Sequence, residues 1–322
     1  MKKDFSLFLK DAQNKGCLNY KENLRLSSVS SIGTGGEARF FVTPLSADAL
    51  IKTLNAAREA DMQFTVIGNA TNILFPDKGF GGAVISTRKM STLSVKDGLI
   101  LADCGTPLPR LSSLALENSF TGFEGLVSIP ATVGGALVTN AGAYGCEIAD
   151  SLLSFSVFLP ESGEVKPRLP KDYPFSYRLS HATDGGAIIL SAIFKGKPGT
   201  HSEISAKMSE NREKRRASQP TGVKSVGSFF KKPDYVTLNK NVSPAYFGKS
   251  AGELIDLCGL KGTTFGGACV SEKHAGFLVN IGDATTADFL QLSKMIKSVV
   301  FEKTGVRLTE ECVILKPLNE RD

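Results

Sequence analysis

Phe64-Thr65-Val66-Ile67-Gly68-Asn69-Ala70-Thr71-Asn72 is the stretch from which the fold is read. A strand rich in β-branched residues runs without a spacer into a loop of small, neutral side chains. Gly68 permits close backbone approach, the loop amides can point at a diphosphate, and Thr71 and Asn72 add neutral donors. The stretch is not G-x-G-x-x-G, and no P-loop lysine follows, so the common nucleotide-binding folds are disfavoured. A tight strand–loop turn with no ligand fits the same residues.

Upstream, residues 39–43 read as a strand ended by Pro44, and Ser46 caps a helix with Leu50, Leu54 and Ala57 on one face. Downstream, 98–102 read as a strand and 109–119 as a helix. The interval 122–145 is rich in glycine and poor in charge, and is expected to be a buried, ligand-facing loop system rather than a regular element. A hairpin at about 152–168 turns at Pro160-Glu161-Ser162-Gly163, a strand follows at 187–194, and Lys195-Gly196-Lys197-Pro198-Gly199 is the clearest linker. A helix at about 202–217 comes next. Ser250-Ala251-Gly252-Glu253 is a capping box for a helix that stops at Gly259. Thr285 to Asp288 opens a longer helix with Phe289, Leu292, Ile296 and Val299 inward and Gly305 as its stop, and Cys312 to Leu315 form a closing strand. There is no repeat. The pattern is α+β with mixed sheets.

At 322 residues, 42% hydrophobic and 22% charged, the chain has room for two or three domains. Its net charge of +6 suits anionic small molecules and is too mild to argue for nucleic acid. The run Arg212-Glu213-Lys214-Arg215-Arg216 reads as a solvated helix face, or as a rim attracting phosphates. Six scattered cysteines and three histidines show no metal-ligand spacing, so no metal is expected, and the cysteines suit a reducing compartment. No apolar run is long enough to span a membrane, and the start is too short in apolar residues for a signal peptide. The expectation is a cytoplasmic monomer with no membrane or nucleic-acid partner.

Two further segments carry chemistry. Ser225-Val226-Gly227-Ser228-Phe229-Phe230-Lys231-Lys232-Pro233 sets a hydroxyl between a glycine and two phenylalanines, with two ammonium groups after it. The glycine lets the backbone turn sharply, the rings can keep the hydroxyl dry, and the lysines suit an anion; alone, the segment also reads as the ordinary start of a strand. Ile129-Pro130-Ala131-Thr132-Val133-Gly134-Gly135-Ala136, then Asn140-Ala141-Gly142-Ala143-Tyr144-Gly145, could lie flat against a large planar or phosphorylated ligand, or be close-packed loops.

These residues resemble the UDP-N-acetylenolpyruvoylglucosamine reductase family, flavoproteins of bacterial cell-wall synthesis. The resemblance runs in order through I-G-T-G-G-E-A (32–38), G-N-A-T-N-I-L (68–74), I-P-A-T-V-G-G-A (129–136) and N-A-G-A-Y-G (140–145). It continues through F-S-Y-R-L-S (175–180), G-S-F-F-K (227–231), A-G-E-L-I-D (251–256), G-L-K-G (259–262) and S-E-K-H-A-G-F-L-V-N (271–280).

The resemblance implies a vanillyl-alcohol-oxidase-type (PCMH-type) FAD-binding fold of two α+β subdomains, and a C-terminal α+β substrate domain. It sets the FAD-binding domain at 1–200, with its internal boundary near 62, and the substrate domain at 201–322, the final strand returning to the active site. It implies noncovalent FAD, NADPH as hydride donor, and a UDP-sugar enolpyruvyl ether as substrate, reduced at the methylene carbon and protonated at the α-carbon. Gly68, Asn69, Ala70, Thr71 and Asn72 are implied to contact FAD, with Ile129, Pro130, Thr132, Gly134, Gly135, Asn140, Ala141, Gly142 and Tyr144. Ser228 is implied to be the proton donor, Arg178 to hold the substrate carboxylate as a charge-assisted fork, and Glu311 to assist at the intermediate. Tyr177, Lys231 and Lys232 are implied to meet substrate.

Without the resemblance Arg178 reads as a surface arginine and Glu311 as a strand-edge carboxylate. Glu310 rivals Glu311 through a one-residue slip, which would turn the side chain to the opposite strand face. The chain departs from the family pattern at Ala70, Thr71, Ala131, Thr309 and Cys312, and at Lys232, where asparagine is usual. An asparagine donates and accepts; a lysine only donates. No tyrosine lies between Arg178 and Ser228, so the chain resembles the second subclass, which lacks a tyrosine-bearing loop over substrate, and a more open channel is expected. Another flavin enzyme of this fold acting on an alcohol or sugar, and a non-catalytic UDP-sugar-binding protein, are the competing readings.

Overall fold

Ser46 keeps extended backbone while its hydroxyl accepts the Ala49 amide at 3.2 Å, so the helix Ala47–Glu59 starts there and buries Ala49, Leu50, Leu54 and Ala57. That helix and the strands around it are seen in a computed structural model, which describes residues 4–235, 242 and 244–318. The chain divides into two units. The first comprises Met1–Leu24, Ala38–Asn69 and Gly81–Arg215; the second comprises Arg25–Glu37, Ala70–Phe80 and Arg216–Asp322.

In the first unit one sheet has the strand order Leu18–Arg25, Glu37–Pro44, Phe80–Ser86, Phe64–Ile67, the last two parallel. Ala38, Phe40 and Val42 alternate inward along Glu37–Pro44, as a half-buried strand requires. A second sheet has the order Glu164–Arg168, Leu152–Leu159, Ile188–Phe194, Leu99–Asp103, Leu93–Lys96, each neighbour antiparallel. Phe123, Phe155, Phe158 and Phe194 fill the core of this unit. The helix His201–Ser218 lies in it as far as Arg215.

One expectation is corrected here. The interval 122–145 contains a regular element, the helix Val133–Thr139. Thr132 caps it, accepting the Gly135 amide at 3.3 Å, and Gly134 sits so close to Cys104 that a Cβ would come within 2.9 Å of the cysteine Cβ. Packing of a smooth small-residue face outweighs the low helix propensity of two glycines.

In the second unit the strand order is Lys224–Ser228, Phe277–Asn280, Ala268–Val270, Thr264–Phe265, all antiparallel. Both capping boxes form, opening Ala251–Leu257 and Thr286–Thr304. Phe289, Leu292, Ile296 and Val300 are buried on the long helix. Val300, not Val299, completes that face, because the 3.6-residue period favours a step of four after Ile296; Val299 packs half-buried beside it. The closing strand is shorter than expected, Val313–Ile314, parallel to Ile73–Leu74. Asp77 ties this segment down, since its two carboxylate oxygens accept the Thr286 and Ala287 amides at 2.8 and 2.9 Å. Among the described residues no helix is long and apolar enough to cross a membrane.

Candidate active site

In the first unit the two small-residue tracts touch. A Cβ at Gly68 would stand 2.3 Å from Thr132 Oγ1, so only glycine fits directly after the strand Phe64–Ile67. Asn69 Nδ2 donates to the Pro130 carbonyl at 2.9 Å. Protein therefore already fills the side-chain space beside Gly68, as it does beside Gly134, and what these residues can offer a ligand is backbone. Ile129 packs partly buried against the core behind them.

Asn140 ends the helix Val133–Thr139 in the left-handed conformation, φ +46°, and is 1% exposed. Its Nδ2 donates to Glu147 Oε2 at 2.6 Å and to the Ser176 carbonyl at 3.0 Å. Both partners are acceptors, which fixes the amide's orientation and leaves Oδ1 buried with no donor among the described residues. Beyond it, Gly142–Ala143 and Cys146–Glu147 pair as a hairpin whose two turn residues, Tyr144 and Gly145, have φ +55° and +75°. Such a turn favours Asn and Gly at those places, yet a tyrosine occupies the first, 37% exposed.

A second hairpin, Phe175–Ser176 with Leu179–Ser180, turns through Tyr177 and Arg178. Arg178 also has positive φ, +52°. Its Nη2 donates to the Gly142 carbonyl at 3.2 Å, and its guanidinium carbon lies 5.0 Å from the Tyr177 ring centroid. The first unit thus brings Asn140, Gly142 and Arg178 together, Asn140 holding the second hairpin by Ser176. Arg215 was not singled out from sequence. It is the half-buried member of its basic run; burial lowers its pKa, opposed by the Tyr144 phenol. A helical run of mixed charge hides such a residue among solvated neighbours.

In the second unit Ser228 ends the strand Lys224–Ser228 beside Phe277. Val226 and Gly227, between the paired Ser225 and Ser228, face the single residue Leu278, so the strand carries a bulge, and Gly227 takes φ +81° inside it. The bulge re-aims the serine, which is half-buried. Phe229 and Phe230 anchor the strand: they are 0% and 3% exposed, with Phe229 stacked on Phe289 at 6.5 Å. His274, whose Nδ1 accepts the Gly276 amide at 3.0 Å, braces the turn whose Gly276 carbonyl accepts the Phe229 amide at 2.8 Å.

The segment carrying Glu311 runs alongside. The Glu311 amide donates to the Phe229 carbonyl at 2.8 Å, and the Lys231 amide donates to the Thr309 carbonyl at 2.9 Å. On the other side Asn72 Nδ2 donates to the Glu311 carbonyl at 3.4 Å, and the Val313 amide donates to the Asn72 carbonyl at 2.9 Å. Glu310 faces the long helix: its Oε1 accepts from Ser293 Oγ at 2.8 Å and Lys297 Nζ at 2.6 Å. Burial pushes the Glu310 carboxyl up, but the Lys297 and Ser293 hydrogen bonds outweigh it and hold the group below its ordinary value. Lys232, with Lys249, helps hold Glu253 below its ordinary value, after the larger effect of the Ser250 amide and hydroxyl.

Residues 38–166 match the model of the FAD binding domain family, and residues 219–315 match that of the UDP-N-acetylenolpyruvoylglucosamine reductase C-terminal domain. The UDP-N-acetylenolpyruvoylglucosamine reductase of Streptococcus pneumoniae strain Hungary19A-6 is 39% identical over 298 residues, covering 92% of this chain and 94% of that protein. The protein of the same description from strain JJA gives the same figures. The crystal structure of UDP-N-acetylenolpyruvylglucosamine reductase from Thermus caldophilus matches with a TM-score of 0.75 at 32% identity, covering 93% of this chain and 99% of that one.

Proposed function

Since the chain belongs to the UDP-N-acetylenolpyruvoylglucosamine reductase family, we propose that it reduces the enolpyruvyl ether of UDP-N-acetylglucosamine to UDP-N-acetylmuramate, a peptidoglycan precursor, drawing hydride from NADPH by way of FAD. It is an FAD-dependent oxidoreductase of α+β class, with the vanillyl-alcohol-oxidase-type FAD-binding fold. The first unit supplies most of the cofactor site and the second the substrate-binding strands. The observation that carries the reading is the register beside Ser228, in which the Glu311 amide bonds the carbonyl of Phe229, the next residue after the serine.

The residues fit FAD. Asn140 Oδ1 is a buried acceptor lacking a donor, which a ring N–H of the cofactor would supply. The tracts at Gly68–Asn69 and Pro130–Thr132 meet through backbone and small side chains, leaving amides rather than bulky groups to receive a diphosphate. When bound, FAD supplies two-electron hydride chemistry.

The protein's own task is to manage charge on the substrate. Hydride addition at the methylene carbon leaves negative charge on the α-carbon, spreading into the adjacent carboxylate. Arg178 holds that carboxylate with a planar fork and stabilises the charge as it develops. The Ser228 hydroxyl delivers one proton to the α-carbon. A serine is a weak acid, but a carbanionic centre is a strong base, so placement matters more than acidity. Glu311 stabilises the same intermediate by hydrogen bonding. Tyr177, Lys231 and Lys232 bind the substrate's anionic parts, Lys232 through charge alone where an amide would also accept. The absence of any tyrosine between Arg178 and Ser228 supports an open substrate channel.

Anaerobic addition of NADPH to the yellow holoenzyme should bleach it, and the enolpyruvyl substrate should restore the colour with stoichiometric UDP-N-acetylmuramate. Bleaching without recolouring by this substrate would overturn the reading.

A further inference from the structure

Arg168 ends the strand Glu164–Arg168 opposite Phe155, and it is 7% exposed although the rest of that strand faces solvent. Its Nη1 donates to the Ala182 carbonyl at 2.8 Å and its Nη2 to the Asp184 carbonyl at 2.9 Å. Its guanidinium carbon stands 4.0 Å from the centroid of the Tyr173 ring. Tyr173 precedes the hairpin that turns through Tyr177 and Arg178, and Ala182 and Asp184 follow it. One side chain thus grips both ends of the excursion.

Stability alone does not account for an arginine here. Among the described residues its guanidinium meets no carboxylate, and the Asp184 carboxylate pairs instead with His181 at 2.9 Å. A buried charge facing only neutral carbonyls and a ring is costly, and an apolar residue of similar size would fill the space with less desolvation. What arginine adds is geometry: a rigid fork reaching two carbonyls at once, flat against an aromatic face. The hairpin it grips has strands of only two residues each. Its other anchors include Asn140 on the Ser176 carbonyl, Arg178 Nη2 on the Gly142 carbonyl, and an edge contact of Phe175 with Phe155 at 6.1 Å.

We propose that Arg168 is a positioning residue for carboxylate recognition: by clamping Tyr173, Ala182 and Asp184 it presents the Arg178 guanidinium to the substrate in one orientation. The inference rests on the reading that Arg178 binds the substrate carboxylate. A lysine keeps the charge but can satisfy only one carbonyl well, so Arg168→Lys loosens the hairpin without uncovering a cavity.

The test uses FAD-loaded enzyme. Titration of the oxidised holoenzyme with UDP-N-acetylglucosamine enolpyruvate, followed by calorimetry, should show weaker binding in Arg168→Lys. Its reoxidation efficiency should fall by about 10²-fold, the scale expected when a binding group is misplaced by about 1 Å. Bleaching by NADPH should keep its normal rate. Tyr173→Leu, which removes the face the guanidinium rests on, should shift binding in the same direction by a smaller factor, and it stands as the test if Arg168→Lys does not fold. In the double variant Arg168→Lys with Arg178→Ala, reoxidation should be no slower than in Arg178→Ala alone. A lower melting temperature with unchanged substrate binding, or additive losses in the double variant, would overturn the proposal. Normal reoxidation in Arg178→Ala would instead overturn the reading beneath it.

Discussion

Glu310→Gln and Glu311→Gln each remove one charge from adjacent residues, and the structure separates their consequences. Glu310 Oε1 is bonded to Ser293 and Lys297, and the Lys297 and Glu310 side chains are 38% and 20% exposed. An amide oxygen can accept both hydrogen bonds, so Glu310→Gln loses the charge but not the contacts. With the lysine more than a third exposed, solvent screens the pair and the loss is about 1 kcal/mol, well below that of a fully buried pair. In a protein of this size that lowers Tm by about 1.5 °C. The pH dependence has a definite sign. The Glu310 pKa is lowered in the folded state, so its contribution is complete above the unfolded glutamate pKa and disappears as pH falls through the folded one. Wild type and Glu310→Gln should therefore differ at neutral pH and converge in acid, with flavin reoxidation near normal in the variant. Glu311→Gln should slow reoxidation by roughly 10²–10⁴. Thermal melts across pH and anaerobic stopped-flow reoxidation measure both. Equal slowing in the two variants, or slowing only in Glu310→Gln, would refute the argument from strand face.

Ser228→Ala should bleach normally with NADPH yet reoxidise on substrate at least about 10²-fold more slowly, for want of a proton donor; a normal stopped-flow trace removes Ser228 from the role. Asp77→Ala strips both acceptors from the first turn of the helix Thr286–Thr304 and should destabilise by about 2 kcal/mol in denaturant melts, with Asp77→Asn recovering part of the loss; a change within a few tenths would refute the capping account. Tyr144→Asn puts a residue at home with positive φ into the hairpin turn and should raise stability by about 1 kcal/mol while weakening FAD retention on dialysis; a variant both more stable and fully retentive would show that the tyrosine has no cofactor role. Burial pushes the Cys104 and Cys312 thiols up to about 12 and Cys146 up to about 11, so at pH 8 native alkylation should label the exposed Cys17 first. Early labelling of Cys104 or Cys312, read by peptide mass spectrometry, would contradict their packing.

Local signals were legible in the sequence. Ser46, Ser250 and Thr285 cap the helices they announced, because a cap is decided within four residues. The loop after Phe64–Ile67 was legible for the same reason, and the glycine before Ser228 announced a sharp turn of the backbone, though not that the turn is a bulge. What escaped was decided by distant contacts. The helix Val133–Thr139 depends on Cys104 and Thr106 receiving its first amides, and no window around Gly134-Gly135 contains that information. The helix Phe5–Asn14 buries Phe5, Leu9 and Ala12 at helical spacing, but its polar interruptions weakened the period. That Glu310 and not Glu311 meets Lys297 depends on a strand lying against a helix 13 residues earlier in the chain. The segments 25–37 and 70–80 join the second unit although no shift in composition marks them.

Backbone strain supplies a second line toward the site. Among the described residues eight non-glycine residues hold positive φ: Asn23, Asp61, Ala70, Asp97, Ser119, Asn140, Tyr144 and Arg178. Five are asparagine, aspartate or serine, whose short polar side chains can bond the local backbone, so their presence in tight turns is unremarkable. The other three have no such compensation, and each costs about 1 kcal/mol or more against glycine. Those three are Ala70, Tyr144 and Arg178. Ala70 stands at a position where the family resemblance implies glycine, which would carry no such strain. Tyr144 and Arg178 occupy turn positions where glycine or asparagine would relax the hairpins, and the long Arg178 side chain reaches the Gly142 carbonyl and the Tyr177 ring. A fold retains unfavourable turns of this kind when the side chain they carry is needed in that place. Uncompensated strain thus falls on three residues that the family resemblance also implies to meet cofactor or substrate.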